Sequence, residues 1–415
     1  MARKRSKAAL FVRDLVARTG LSTRQLGYAV RPEQLRTGND IRILRGAAEV
    51  YAAMLQAIAE AEYSVCLETY ILACDRTGER FAAALGERAR RGVAVRLIYD
   101  AVGSRGMRSE YLEALERDGV EIIEYHPLEP WKKHFGVFRR DHRKVLVVDD
   151  RVAFAGGFNI TDAHLPVEEG GEGWYDIHCR VRGPIVHDLA RLFRRVWVRE
   201  GGRPYPVARP QGSAVGERAG RTSYSNLVQP ECGSSLARVV DNRKVRQRWK
   251  IHRAYLHAIK RARDSIHIMN AYFLPDRGIR RALRRARNRG VEVRVIVPER
   301  SDILVVGYAG RHMYRSLLEH GIEIVMWPDT MMHAKAAIID SVWASVGSYN
   351  LDSLSLTRNL EVMIEVIDPA LASEADRRFI QDAEACIPLT VESLEQRPMV
   401  DKMLSWFFYQ FRRWM

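Results

Sequence analysis

One pattern occurs twice in this chain and dictates its architecture: His-x-Lys-x-x-x-x-Asp reads HRKVLVVD from His142 to Asp149 and HAKAAIID from His333 to Asp340. With 12 His, 10 Lys and 22 Asp in 415 residues, chance predicts about 0.015 copies of this spacing. The surroundings repeat as well. Each half opens with an apolar strand, residues 64–72 (SVCLETYIL) and 266–274 (IHIMNAYFL), followed by a basic helix that ends in Arg-Gly-Val. Another apolar strand comes next (93–100 and 291–298), then a helix and a short strand, 111–125 echoed by 314–327, and then the histidine motif. Strands alternating with helices predict an α/β layered fold built twice. The Gly-, Pro-, Ser- and Arg-rich stretch 201–223 has no periodicity and reads as a linker. The expected units are a basic N-terminal segment 1–40, a first domain 41–200, the linker 201–223, a second domain 224–387 and a C-terminal tail 388–415.

The motif sits inside apolar sequence. VLVV and VAFA meet at Asp149 and Asp150, and AAII and VWASV meet at Asp340 and Ser341, a hairpin pattern in each half. On a strand of period two, His142 and Lys144 project to one face about 6.5 to 7 Å apart, and His333 and Lys335 do the same. Each histidine thus sits beside a fixed positive charge. Asp149 and Asp340 fall at the turns, where a carboxylate is expected to be structural or to tether a neighbouring segment instead of reacting. After each hairpin come small residues and an asparagine, GGFN (156–159) and GSYN (347–350). Gly157 and Ser348 let backbone N–H groups approach an oxyanion, and Asn159 and Asn350 add neutral donors. Tyr70 and Tyr272 occupy equivalent repeat positions and are candidates to line a pocket, although aromatic strand residues more often pack in a core. The other ten histidines form no metal-ligand spacing, and neither a metal nor a cofactor is expected.

Composition narrows the class. The 66 Lys and Arg exceed the 51 Asp and Glu by 15, and 56 of the cations are arginine, whose fork matches phosphate oxygens. An anionic partner is implied, and charge alone does not choose between nucleic acid and anionic lipid. No uncharged apolar run reaches the ~18 residues of a spanning helix, and no signal-peptide pattern opens the chain. Cys66, Cys74, Cys179, Cys232 and Cys386 are scattered and odd in number, which reads as reduced core residues.

The paired motifs, GGFN, the stretch GSYNLDSLSLTRNLE (347–361), LETYIL (67–72), NAYFLP (270–275) and WYDIHCRVRGPIV (174–186) resemble the phospholipase D superfamily, and within it the bacterial cardiolipin synthases that lack transmembrane helices. The similarity covers residues 49–387. The resemblance implies two phospholipase D-like repeats, each a mixed β-sheet flanked by helices, related by a pseudo-two-fold axis. It also implies a metal-free exchange of one alcohol for another on a phosphodiester through a covalent phosphohistidine. Two phosphatidylglycerols would yield cardiolipin and glycerol, or phosphatidylglycerol would react with another phospholipid. Such chemistry needs one neutral histidine to attack and another to donate a proton. His142 is the expected nucleophile, because many family members use the N-terminal histidine, and His333 the expected acid. Lys144, Lys335, Asn159 and Asn350 would hold the phosphoryl oxygens. Asp176 and Glu361 fit the family position of a carboxylate that orients a histidine.

The ends of the chain bear on membrane attachment. In the tail 402–415, Leu404, Phe407, Phe408, Phe411 and Met415 fall at helical spacing with Ser405, Tyr409, Arg412 and Arg413 opposite. This is an interfacial pattern with Trp406 and Trp414 at headgroup depth, the alternative being a helix docked on the protein's own core. Residues 2–27, basic with scattered apolar positions, suit an anionic lipid surface or a solvated helix. The helix 277–290, with seven arginines, faces either the membrane or plain solvent. The expected partner is anionic phospholipid, phosphatidylglycerol and cardiolipin, at a membrane surface, with no nucleic acid; oligomeric state is not legible. The expected location is the cytoplasmic face of a bacterial cell membrane, an organelle membrane being the alternative that the transit-peptide-like N-terminus allows. Rival functions are a phospholipase D that uses water or another alcohol, a nuclease of the same superfamily, and a non-catalytic binding module.

Overall fold

The computed structural model describes residues 2–136, 138–205, 232–242, 248–412 and 414, with side chains from residue 11 onward. Most of the expected linker therefore lies outside the described residues. The first half contributes β1 (Arg36–Arg45), β2 (Ser64–Thr69), β3 (Ala94–Asp100), β4 (Glu121–Tyr125), β5 (Val145–Val148), β6 (Val152–Gly156) and β7 (Ile177–Arg182), ordered β1-β7-β6-β5-β2-β3-β4. The second contributes β8 (Ser235–Asp241), β9 (Ser265–Asn270), β10 (Glu292–Pro298), β11 (Glu323–Trp327), β12 (Lys335–Ile339), β13 (Trp343–Gly347), β14 (Val362–Ile367) and β15 (Ile387–Leu389), ordered β8-β14-β13-β12-β9-β10-β11-β15. Counted outward from the β1–β8 seam, the two orders correspond strand for strand, with β15 added at one edge. This is the pseudo-two-fold relation of two mixed α/β units. In each unit three strands run parallel, β2-β3-β4 and β9-β10-β11, and helices on both faces bury them, which explains their continuous apolar runs.

The two units meet through a shared core. Ala155, Ile177, Cys179 and Val181 of the first pack with Ala336, Ala344, Val346 and Ile364 of the second, closed by the helices Val186–Arg199 and Pro369–Glu384. The small alanines let the inner faces approach. The β1–β8 seam itself pairs only Arg36 with Ala237 and Asn39 with Ser235.

The N-terminal segment departs from expectation. Leu15, Leu26, Tyr28, Ala29 and Leu35 are buried in the core of the second unit, with Val12 and Val16 packed against it. The apolar stripe of this segment is taken up by the protein itself, while Phe11, Arg13, Asp14, Ala17 and Arg18 stay exposed. The C-terminal helix Met399–Gln410 docks through a face that joins Leu404 and Phe408 of the expected apolar stripe to Ser405, Tyr409 and Arg412 of the expected polar one. Ser405 is buried and Leu404, Phe408, Tyr409 and Arg412 are half-buried, whereas Met403, Trp406, Phe407, Phe411 and Trp414 are exposed. Of the inward polar groups, Tyr409 packs its ring at a tilt on His312 at 4.6 Å and accepts a hydrogen bond from Arg280 Nη1 at 3.1 Å. The arginine-rich helix Arg277–Arg287 buries Ile279, Ala282, Leu283 and Ala286. All five cysteines are free, and Cys232, expected in the core, is exposed. Among the described residues no helix is long and apolar enough to cross a membrane.

Each motif aspartate starts a two-residue hairpin turn with two positive φ angles, 53° and 52° at Asp149 and Asp150, 52° and 49° at Asp340 and Ser341. Such a turn matches strand twist, and Asp tolerates its left-handed backbone. The Asp149 carboxylate accepts the N–H groups of Glu62, Tyr63 and Ser64 at 2.7 to 2.8 Å. Asp340 accepts those of Arg263, Asp264 and Ser265 at 2.9 Å and the Tyr28 hydroxyl. Both aspartates therefore anchor the strand that precedes them, β2 or β9. We predict that Asp149→Ala destabilises the fold by about 3 kcal/mol in urea unfolding, Asp149→Asn by less because it keeps the turn and two acceptor lone pairs. Equal stability of Asp149→Ala and wild type would refute the tether.

Candidate active site

Both histidines lie in extended backbone just before a hairpin strand, and each runs alongside a segment of the other unit. The His142 N–H donates to the Leu360 carbonyl at 3.0 Å, and the His333 N–H donates to the Tyr175 carbonyl at 2.7 Å. Leu360 precedes Glu361 and Tyr175 precedes Asp176, so the carboxylates arrive crossed. His142 Nδ1 meets Glu361 at 3.2 Å, and His333 Nδ1 meets Asp176 at 2.7 Å. All four side chains are buried, the carboxylates to 1% exposure or less. A carboxylate on Nδ1 fixes the tautomer and leaves Nε2 of each ring for chemistry.

The flanking residues repeat the same geometry. Lys144 Nζ donates to the His142 carbonyl at 2.7 Å and Lys335 Nζ to the His333 carbonyl. The Tyr70 ring lies 4.9 Å from the His142 ring and the Tyr272 ring 6.3 Å from that of His333. Lys144 Nζ and Lys335 Nζ stand 5.0 and 5.8 Å from the same two tyrosine rings. The Asn159 side-chain oxygen accepts the Ile71 N–H at 3.2 Å, which leaves its NH2 group as donor. Asn350 Oδ1 is buried without a hydrogen-bond partner among the described residues. A Cβ on Gly157 would lie 2.1 Å from Asp176 Oδ1, so only glycine fits there. At the equivalent place the Ser348 hydroxyl donates to Glu361. Asp149 and Asp340 stand away from this cluster, at the far ends of the hairpin strands.

Several wall residues escaped sequence reasoning. His164 and Ser355 each follow the GxxN asparagine by five positions, and each accepts that asparagine's N–H, at 3.3 Å in both units. Ser355 Oγ also donates to Glu361 at 2.8 Å. That shared offset was the available signal. His178 accepts the Phe158 N–H at 3.4 Å. Behind His142, Arg143 pairs with both Asp141 and Glu68 at 2.7 and 2.5 Å, all three being buried. No metal set was expected, yet His164, Asp176 and His333 bring ligand atoms within 4.8 Å of one another. Within this group His164 Nε2 accepts the Asn159 N–H and His333 Nδ1 meets Asp176, while His164 Nδ1 is buried without a hydrogen-bond partner among the described residues.

Burial sets the electrostatics. It pushes His142 below its ordinary pKa, with Lys144 adding to the effect and Glu361 opposing it. His333 is driven well below its usual value by burial and by Lys335, Lys144 and His142. Burial lowers Lys144 to about 7, Glu361 opposing and Lys335 reinforcing, and lowers Lys335 to about 8 against the pull of Asp176. Four bases thus crowd one space and resist becoming charged together. An anion placed among them removes the repulsion and raises all four. We predict that binding of tungstate or inorganic phosphate is accompanied by proton uptake and tightens as pH falls from about 8.5 to about 6.5. Calorimetry in two buffers of different ionisation enthalpy measures this. A pH-independent affinity without proton exchange would mean that the lysines are already fully charged.

Two buried histidines, each backed by a lysine and a carboxylate across a pseudo-two-fold axis, fit a protein of the phospholipase D superfamily. Profile matching agrees: "Cardiolipin synthase, PLD-like domain" fits residues 54–197 and 255–383, and "Phospholipase D" fits 158–278. The chain belongs to the cardiolipin synthase family of that superfamily. It is 33% identical over 337 residues to cardiolipin synthase B of Escherichia coli (strain K12), covering 80% of this chain and 78% of the relative. It is 30% identical over 377 residues to the cardiolipin synthase of Geobacillus sp. (strain WCH70), covering 90% and 72%. The crystal structure of phosphatidylserine synthase from Haemophilus influenzae superposes with a TM-score of 0.65 at 14% identity, over 92% of this chain and 94% of that one, a likeness of fold.

Proposed function

We propose that this chain is a phosphatidyltransferase that makes cardiolipin at the cytoplasmic face of a bacterial membrane, from two phosphatidylglycerols or from phosphatidylglycerol and another phospholipid. The observation that carries the reading is the crossed pairing, which presents two imidazole Nε2 atoms from separate units with their Nδ1 atoms engaged. In the first half-reaction neutral His142 attacks the phosphorus, the P–O bond to glycerol breaks, and His333 gives its proton to the departing glycerol oxygen. Lys144, Lys335 and the Asn159 amide take up the charge that develops on the phosphoryl oxygens. In the second, the terminal hydroxyl of an acceptor phosphatidylglycerol gives its proton to His333 and attacks. The P–N bond breaks and both histidines return to their starting states. One phosphodiester replaces another at each turn, so the exchange is near thermoneutral and needs no nucleotide.

Purified protein with phosphatidylglycerol vesicles, without nucleotide or added metal, is expected to produce cardiolipin and glycerol in equal amounts. Phosphatidic acid in place of cardiolipin would point to hydrolysis, and nicked plasmid without lipid turnover to a nuclease. His142→Ala is expected to slow turnover by at least about 10³-fold and to abolish covalent label from phosphorus-labelled substrate, whereas His333→Ala retains label. Label persisting in His142→Ala would reassign the nucleophile to His333.

A further inference from the structure

The outward stripe of the C-terminal helix does not stand alone. Trp131, Phe135 and Phe138, on the loop that leads from β4 into the first motif, are exposed as well, Trp131 to 82% and Phe138 to 67%. Arg358 joins the two regions: its guanidinium carbon lies 5.3 Å from the Phe138 ring and 5.4 Å from the Trp414 ring. This cluster borders the catalytic centre. Phe138 is two residues from Arg140 and Arg358 two residues from Leu360, and the Leu360 N–H donates to the Arg140 carbonyl at 2.8 Å. That contact directly precedes the one from His142 to Leu360. Lys133 and Arg139 are exposed beside these rings in the chain and Arg358 lies between two of them, so the aromatic surface is interleaved with cations.

We infer that this two-unit surface, Phe138 with Arg358, Trp414 and the Phe407–Phe411 stripe, is the face that seats on an anionic phospholipid bilayer. Its seating holds the active-site entrance against the lipid headgroups. Exposed indole and phenyl rings interleaved with cations are what a headgroup region accommodates: rings at the interface, guanidinium and ammonium groups on phosphates. A purely apolar patch would suit a protein interface better, and a purely cationic one a polyanion. The identity of the occupant rests on the phosphatidyl-transfer reading, and the position of the surface rests on exposure and on its link to His142.

The test uses full-length protein and sedimentation with vesicles of equal parts phosphatidylglycerol and phosphatidylcholine. Replacing Phe138, Phe407 and Trp414 together by serine is expected to lower vesicle affinity by about tenfold or more. Turnover of a short-chain phosphatidylglycerol kept below its micelle concentration should be unchanged, which also reports that the variant is folded. In a second arm, vesicles with bromine-labelled acyl chains quench wild-type tryptophan emission. The variant with Trp131, Trp406 and Trp414 all changed to phenylalanine is expected to lose most of that quenching: of the five tryptophans that remain, Trp197 and Trp343 are buried, Trp174 and Trp327 are part-buried, and Trp249, exposed to 39%, precedes the helix Lys250–Arg261. Undiminished sedimentation of the serine variant, undiminished quenching of the phenylalanine variant, or a lipid-free dimer that these substitutions dissociate would each overturn the proposal. Failure of the wild type on the soluble lipid would instead count against the chemistry, with the vesicle arms still judging the surface.

Discussion

The exchange of carboxylates across the pseudo-two-fold axis governs the rest of the structure. Neither unit contains a complete histidine site: the first supplies His142 without its orienting group, the second supplies His333 without its own. A carboxylate buried to 1% or less and deprived of its partner is costly, by several kcal/mol, so each unit alone would hold a stranded acid. The β1–β8 seam, with two residue pairs, is too slight to enforce the exchange. Enforcement falls to the shared alanine-rich core and the backbone contacts at Leu360 and Tyr175. It falls also to the N-terminal segment, which buries Leu15 to Leu35 in the second unit before the chain enters the first.

Symmetry is broken where the chemistry needs two roles. Glu361 receives hydroxyl donors from Ser348 and Ser355 besides His142, whereas the equivalent places beside Asp176 hold Gly157 and His164. Its negative charge is shared among more donors, and its contact with His142 is the longer of the two. Asp176, with the Ile177 N–H as its other donor, is less diluted and sits closer to His333. Once a phosphoryl anion offsets the charges of Lys335 and Lys144, the histidine with the nearer, less shared carboxylate is the better holder of a proton. That ordering fits an acid role for His333 and a neutral, attacking His142.

What could be read from the sequence was whatever depends on local period or on repetition. The alternation around VLVV and AAII gave the hairpins. Their turn positions gave Asp149 and Asp340, and the duplicated order of elements gave the two α/β units. The crossing of Asp176 and Glu361 was invisible because both follow their own motifs at similar distances, and nothing in the spacing says which histidine each will meet. The tail shows a second kind of limit. Apolar residues cover more than half of the helix Met399–Gln410, so more than one face can dock, and the core took the one that combines Leu404 and Phe408 with Tyr409, whose hydroxyl finds Arg280 and whose ring packs on His312. The same holds for Val12, Leu15 and Val16: their spacing announces an apolar face, but what covers it is decided by tertiary packing.

The same burial that crowds four bases together bears on the choice between transfer and hydrolysis. A phosphohistidine can pass its phosphorus to water or to an alcohol, and the two acceptors differ little in intrinsic reactivity, so access decides. His142 and His333 are 7% and 3% exposed. Tyr70 packs on the first at 4.9 Å, and Trp174 and Tyr272 pack on the second at 5.4 and 6.3 Å. Aromatic walls this close leave little room for a competing water network. Under the proposed seating on a bilayer, the acceptor present at high local concentration is a headgroup hydroxyl, and the released glycerol is small enough to leave by the same route. Enclosure and the proposed membrane-facing access together would favour exchange of one lipid alcohol for another, without any group in the site that must itself distinguish a glycerol hydroxyl from water.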